Sequence, residues 1–342
     1  MLESNLTTPQ STDDDIVVEK SLRPSSFDDF VGQDEVVANL KVFIESARRR
    51  SSSLDHVVLF GPPGLGKTTL AHIIARELNV NIKLSSGPVI DRPADLAGIL
   101  TNLADRDVFF VDEIHRMNSS VEEYLYSAME DYRIDIMLDK GANSRTIQLT
   151  LAPFTLIGAT TRMGNLTSSM RDRFGVILRL DFYEPDELQT IIMRSAKLLE
   201  ITLDVDAANQ IARRSRGTPR IANRILRRAR DFAEVDGTGH LDLALAKKAL
   251  VRLGIDEIGL DEMDRRIIGT LVKNFNGGPV GVESLAVALH ETARTIEEVY
   301  EPFLIKEGFL QRSQRGRIAL ERAYKYLGVK PGDAKARQQP LF

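Results

Sequence analysis

Short apolar runs alternate with segments of helical period over residues 27–183: "HVVLF", "TTLAHIIARELN", "DVFFVDE", "VEEYLYSAME" and "FTLIGATT". Runs too continuous to leave one face wet, interleaved with amphipathic helices, predict a parallel sheet covered on both faces. After Pro185 the strand-like runs stop, and the spacing predicts a small helical bundle over 184–254. "GIDEIGLDEMD" reads as a linker. Beyond it Met263, Ile267, Ile268, Leu271 and Val272 form one helical stripe, and Leu285, Ala286 and Leu289 a second. Ile296, Val299, Tyr300, Phe303 and Leu304 form a third, with a kink expected at Pro302. "FLQR" and "RIAL" around 313–316 predict a hairpin, with Gly316 permitting its turn. Three short helices and a hairpin are the pattern of a winged helix, here over 257–330. The polar ends, 1–20 and 331–342, read as a loose arm and tail.

Inside the first region Ile134, Ile136 and Leu138 alternate on one side of "DKGANS", and Ile147, Leu149 and Leu151 on the other. This two-residue period predicts a hairpin inserted at about 133–151. Its apolar face either packs on its own domain or docks on a partner, and the pattern leaves both open.

Cysteine is absent, which removes disulfides and thiolate metal sites and suits a reducing compartment. The opening stretch has no apolar core for a secretory signal, and no apolar run reaches the ~18 residues of a membrane span. A cytoplasmic protein without a membrane segment is expected. A net charge of -4 confines any nucleic-acid contact to a local patch. Such a patch is "RSQRGR", with Arg312, Arg315 and Arg317 and no acid between Glu307 and Glu321. Residues 213–230 hold eight arginines and no acid, and are expected on solvated or subunit-facing sides of helices.

"GPPGLGKT" places Gly61, Gly64, Gly66, Lys67 and Thr68 in the pattern of a phosphate-binding loop between a strand and a helix. Glycines let backbone N–H groups converge on phosphate at a helix N-terminus. Lys67 would reach the β- and γ-phosphates of ATP, Thr68 would offer its hydroxyl to Mg²⁺, and Thr69 its N–H to phosphate. Asp112 and Glu113 follow a buried apolar run, which suits Asp112 to hold the metal through water and Glu113 to deprotonate an attacking water. Arg171, Arg173 and Arg220 are candidate cations for the charge that builds on the leaving phosphate.

"GPPGLGKTTLA", "FVDEIHR", "LIGATTR", "RDRFG" and "GTPRIANR", in this order, resemble the AAA+ ATPases, and with the helical and winged-helix ends the chain looks like the bacterial motors of Holliday-junction branch migration. The resemblance implies an α/β P-loop AAA+ domain over 21–183, a small all-α lid over 184–254 and a C-terminal winged helix. It implies Leu22 and Arg23 on the adenine side, Tyr183 closing the pocket, and Arg220 reporting the γ-phosphate to the lid. Thr161 takes the position of a water-orienting side chain, and His115 supports the acidic pair. Arg173, with Arg171 as runner-up, would reach into a neighbouring subunit's site, with Glu130, Asp131 and Tyr132 at the same junction. That implies a ring of six. The family also implies duplex DNA at Holliday junctions held by Arg312 and Arg317, with Arg315 and Arg294 weaker candidates. Gln314 stands where the family often carries proline. Docking of the inserted hairpin on the junction-binding subunit RuvA, association with RuvC, and work in recombination, DNA repair and the SOS response follow from the same resemblance. A clamp loader, which ends in a helical collar, and a nucleotide-gated DNA-binding regulator are the alternatives.

Overall fold

The computed structural model describes residues 21–137, 146–236 and 239–331. The expected arm over 1–20, the hairpin tip and the tail from 332 lie outside the described residues. The chain divides into two compact units, Glu19–Tyr183 and one built on Glu184–Phe342.

Among its described residues the first unit has seven strands: β1 (Val57–Phe60), β2 (Ile82–Ser86), β3 (Val108–Asp112), β4 (Arg133–Met137), β5 (Thr146–Thr150), β6 (Thr155–Thr160) and β7 (Val176–Arg179). The continuous apolar runs supply a parallel sheet ordered β2-β3-β6-β1-β7. Val58, Phe109, Val111 and Leu156 from the strands meet Leu96, Leu125 and Phe154 in one apolar cluster, where each large side chain contributes ~1.5–3 kcal/mol. Register sets Phe60 beside Thr160 and Ser86 beside Asp112, so β1, β3 and β6 end on one edge of the sheet. In such sheets the carboxyl edge is where ligands bind.

His56, just before β1, is buried with Nδ1 accepting from the Leu156 N–H at 2.9 Å and Nε2 facing the Met129 carbonyl at 3.1 Å. Burial lowers its pKa, so the neutral ring ties β1 to the neighbouring chain. β4 and β5 pair antiparallel with Ile134 opposite Leu149. Ile134 and Leu151 join the apolar cluster, whereas Ile147 is 44% exposed.

In the second unit four helices form the expected bundle: Pro185–Leu198, Val205–Arg213, Pro219–Val235 and Leu243–Arg252. Two very short parallel strands, β8 (Thr202–Leu203) and β9 (His240–Leu241), were hidden by the helical periodicity around them. The expected linker is instead a packed turn. Leu260 is fully buried, and Asp256 accepts from the N–H groups of Ile258 and Leu260.

The winged helix follows as helices Glu262–Lys273 and Val282–Leu289, then a third helix. That helix begins at Ala293–Thr295, passes a π-helical turn at Ile296–Tyr300 and continues over Glu301–Lys306. Pro302 therefore lies in a first turn, where its missing N–H costs least, and the widened turn replaces the expected kink. β10 (Leu310–Ser313) and β11 (Gly316–Ala319) form the wing, and Val280 bridges to Arg317 as a third edge. Gly316 (φ 129°) is needed for more than its turn: a Cβ there would lie 2.2 Å from the Val280 carbonyl.

Candidate functional site

The loop from Gly61 to Gly66 joins β1 to helix Lys67–Leu78. Gly61, Gly64 and Gly66 have φ of 146°, 82° and 99°. A Cβ on Gly61 would sit 2.3 Å from the Leu180 carbonyl, so only glycine fits. No side chain caps the helix and its first turn carries no acid, which leaves its N–H groups and dipole suited to an anion. Lys67 is buried, and its Nζ donates to the Gly61 and Pro62 carbonyls, each at 2.8 Å. Thr68 and Thr69 lie in the same first turn. Tyr183 is buried and donates to the Leu65 carbonyl at 3.2 Å, and the Phe30 ring lies close to Gly66. Leu22 is buried and Arg23 half-buried. An uncapped helix start, a buried ammonium and a threonine hydroxyl form a donor set that fits a nucleoside triphosphate.

Asp112 ends β3, and its Oδ1 accepts from the Glu113 N–H at 2.9 Å. Glu113 itself turns into left-handed backbone (φ 47°). Its Oε2 is 3.4 Å from His115 Nε2, and His115 Nδ1 is 2.9 Å from Thr160 Oγ1. Thr160 Oγ1 accepts in turn from the Arg162 N–H at 3.0 Å. A polar path thus runs from the acidic pair to the end of β6. The hydroxyl on this path is that of Thr160, the last residue of the buried run, with the half-buried Thr161 next to it. Counting strand residues to the end of "TLIGAT" is the signal that finds it.

Arg173 lies after the short helix Ser168–Asp172, where Arg171 is half-buried. The Arg173 guanidinium lies 4.5 Å over the Tyr126 ring, pairs with Glu130 at 3.1 Å and donates to the Ser169 carbonyl at 2.7 Å. Tyr126 is itself 2.8 Å from Thr167, which donates to Glu122. Of the "EDY" trio, only Glu130 is joined to Arg173. Asp131 pairs with Arg133 at 3.0 Å, and Tyr132 packs edge-on against Phe154.

In the second unit Arg220 stands at the start of helix Pro219–Val235. The basic stretch around it departs from the expected solvated arrangement. Arg216 and Arg224 are buried, and burial lowers the pKa of Arg214 against the opposing pull of Glu257 and Asp256. The wing arginines also divide. Glu301 is fully buried, and its two oxygens accept from Arg317 Nε at 2.5 Å and Arg312 Nε at 2.6 Å. Arg317 also reaches Glu297 at 2.8 Å and is only 12% exposed, whereas Arg312 is 50% exposed. Burial alone would lower the Arg317 pKa; bonds from Glu301 and Glu297 outweigh it and raise it. Arg317 is therefore held by Glu301 and Glu297, with the half-exposed Arg312 on the same carboxylate. Arg315, at the turn, is exposed, and Arg294 pairs with Glu298 at 2.9 Å. No helix among the described residues is long and apolar enough to cross a membrane.

Three family models tile the chain: the Holliday junction DNA helicase RuvB P-loop domain over 22–180, the RuvB AAA lid domain over 183–256 and the RuvB C-terminal winged helix domain over 257–328. The chain is 59% identical over 322 residues to the Holliday junction branch migration complex subunit RuvB of Flavobacterium johnsoniae, covering 94% of this chain and 95% of that one. It is 59% identical over 325 residues to the RuvB subunit of Salinibacter ruber, covering 95% and 94%. The solved Thermotoga maritima RuvB Holliday junction branch migration motor superposes with a TM-score of 0.83 at 50% identity, covering 91% of this chain and 99% of that one. With its phosphate loop, acidic pair, lid and wing in the same order, the chain belongs to the RuvB family of AAA+ ATPases that drive Holliday junction branch migration.

Proposed function

We propose that the chain works as a six-membered ring that hydrolyses ATP with Mg²⁺ and uses that hydrolysis to move duplex DNA at four-way junctions. Lys67, the loop glycines and the Thr69 N–H would hold phosphate, with Leu22, Arg23 and Tyr183 around the base. Thr68 and Asp112 would hold Mg²⁺, which when bound neutralises phosphate charge. Glu113 would take a proton from the attacking water, with His115 and Thr160 fixing its carboxylate and Thr161 beside them. Arg173, steadied by Tyr126 and Glu130, would complete a neighbouring subunit's site, with Asp131 and Tyr132 bracing that edge. Arg220 would report nucleotide to the lid.

Arg312 and Arg317 would grip phosphates without reading bases, both oriented by Glu301, with Arg315 a weaker contact and Arg294 adding at most a peripheral charge. The inserted hairpin would dock on RuvA, a reading supported by the exposed Ile147. Association with RuvC, and a cytoplasmic role in recombinational repair and the SOS response, complete the proposal. The observation that carries it is the sheet edge at which the phosphate loop, Asp112, Glu113 and the path to Thr160 converge, in a chain that also carries a wing. ATP turnover by the full chain with and without duplex DNA tests it. Duplex is expected to accelerate turnover, and equal rates across dilutions that dissociate the ring would sink the reading.

A further inference from the structure

We infer that Arg216 is a positioning residue that fixes the register of the winged helix on the lid, so that a displacement of helix Pro219–Val235 reaches the wing. This deepens the proposed function, on which it rests for what lid and wing do.

Arg216 lies four residues before Arg220, in left-handed backbone (φ 54°), on the turn that feeds helix Pro219–Val235. Its side chain does not stay with the lid. The guanidinium is 2% exposed and donates to Asp264 of the first winged-helix segment, an acid with 0% exposure. The same nitrogen lies 2.9 Å from Asp261, and Nε donates to the Gly259 carbonyl at 3.0 Å. Its far side covers the Phe303 ring at 4.9 Å. Gly259 also abuts Arg214: a Cβ there would sit 2.9 Å from the Arg214 carbonyl. One side chain from the lid thus holds the cap of one winged-helix segment and the face of another.

Stability gives no reason for this arrangement. Desolvating an ion cluster generally offsets its attraction, and apolar groups of the same volume do as well or better. The cluster is also incompletely bonded: Arg216 Nη1 and Asp264 Oδ1 are buried without a hydrogen-bond partner among the described residues. What a planar, multidentate guanidinium supplies is direction, since it satisfies both acids, the carbonyl and the ring in only one relative placement of the two parts. Burial raises the Asp264 pKa despite the pull of Arg216, in keeping with a cluster kept for geometry.

The chain of neighbours continues toward DNA. Phe303 is two residues from Glu301, whose carboxylate holds both Arg312 and Arg317. From Arg220 the route is back along the chain through the turn before the helix to Arg216, across to Phe303, and along the same helix to the carboxylate that holds the wing arginines. Arg216 packs on Phe303, Glu301 holds the wing arginines by charge-assisted bonds, and all of these residues lie within a single compact unit.

The test uses the full chain with ATP and duplex DNA. The double variant Arg216→Met with Asp264→Leu removes the cluster while filling its volume. Its affinities for ATP and for duplex are expected to stay within about twofold of the parent, while the stimulation of ATPase by duplex falls about fivefold or more. Arg216→Lys keeps the charge but not the fork, and is expected to lose about half of that stimulation while its affinity for duplex stays within about twofold of the parent. It decides the matter should the double variant not fold. Parental stimulation in either folded variant overturns the inference, and so does a loss of duplex affinity itself, which would mean a damaged wing. A parent whose turnover ignores duplex overturns the proposed function and this inference with it, whereas a stimulated parent matched by its variants overturns the inference alone.

Discussion

The two wing arginines that look alike in sequence should fail differently when removed. Arg317→Ala withdraws donors from both oxygens of a carboxylate that is fully buried, and from Glu297 as well. Breaking a buried pair from one side costs ~3–5 kcal/mol because the remaining charge is stranded. Arg312 still bonds the second oxygen of Glu301, which lowers the expected cost to ~2–3 kcal/mol. Arg312→Ala leaves Glu301 paired with the better buried arginine and removes a half-exposed group, so ~1 kcal/mol or less is expected. The difference of ~2 kcal/mol is about thirtyfold in the equilibrium for opening the wing.

Hydrogen exchange of the full chain can read this locally, without assigning one unfolding free energy to a chain of two units. The amides of Val280, Arg317 and Ala319 are bonded within or beside the wing and report its opening. They should exchange far faster in Arg317→Ala and nearly as in the parent in Arg312→Ala. Duplex binding should show the opposite order of direct effect. Removing Arg312 or Arg315 should flatten the salt dependence by ~0.9 in log K per decade for each phosphate that is no longer neutralised. Equal exchange in the two alanine variants, or a slower wing in Arg317→Ala, would refute the claim that the buried carboxylate is organised by Arg317.

Three further outcomes are expected. Glu113→Gln should retain ATP binding and lose turnover, checked by nucleotide titration beside a phosphate-release assay. Arg173→Ala should also be inactive alone, yet mixing it with Glu113→Gln should recover ~25% of parental turnover if rings assemble at random, because each variant supplies the group the other lacks. No recovery would mean that Arg173 does not act across subunits. The third outcome is a pH effect from Asp264, whose carboxyl burial pushes up to about 8. A folded-state pKa above the unfolded value of 3.8 favours the folded chain below that value, and the benefit is lost as pH rises toward 8. The melting temperature of the parent relative to Asp264→Asn should therefore fall between about pH 4 and pH 8.

The nucleotide loop and the acidic pair were legible because each is a contiguous motif whose chemistry depends on neighbours in sequence. The parallel sheet was legible for a similar reason: a strand buried on both faces must be apolar throughout. What escaped depends on distant partners. Nothing local to Arg216 announces Asp264, and nothing in "RSQRGR" announces Glu301. Basic runs therefore read as surface although Arg216 and Arg224 are buried and Arg317 is largely so. The bond from Thr160 to His115 also escaped, because a motif comparison fixes a neighbourhood while the strand's last buried residue fixes which hydroxyl meets His115. Strands β8 and β9 are too short to show a period at all.

The same pairing decides how a chain of net charge -4 presents a cationic grip. The winged helix buries two carboxylates completely, Asp264 and Glu301, and each is met by arginine. Asp264 takes its arginine from the lid, and Glu301 takes both of its arginines from the wing. The first pairing spends a charge on joining two parts of the unit, and the second immobilises one guanidinium so that another stands half-exposed beside it. Counting arginines therefore overstates the field that a phosphate backbone would meet. Among the wing arginines Arg312 and Arg315 are the exposed ones, and Arg312 is placed by the buried Glu301. A wing built this way ties the placement of its half-exposed arginine to the helix that carries Glu301, the same helix whose Phe303 rests under Arg216.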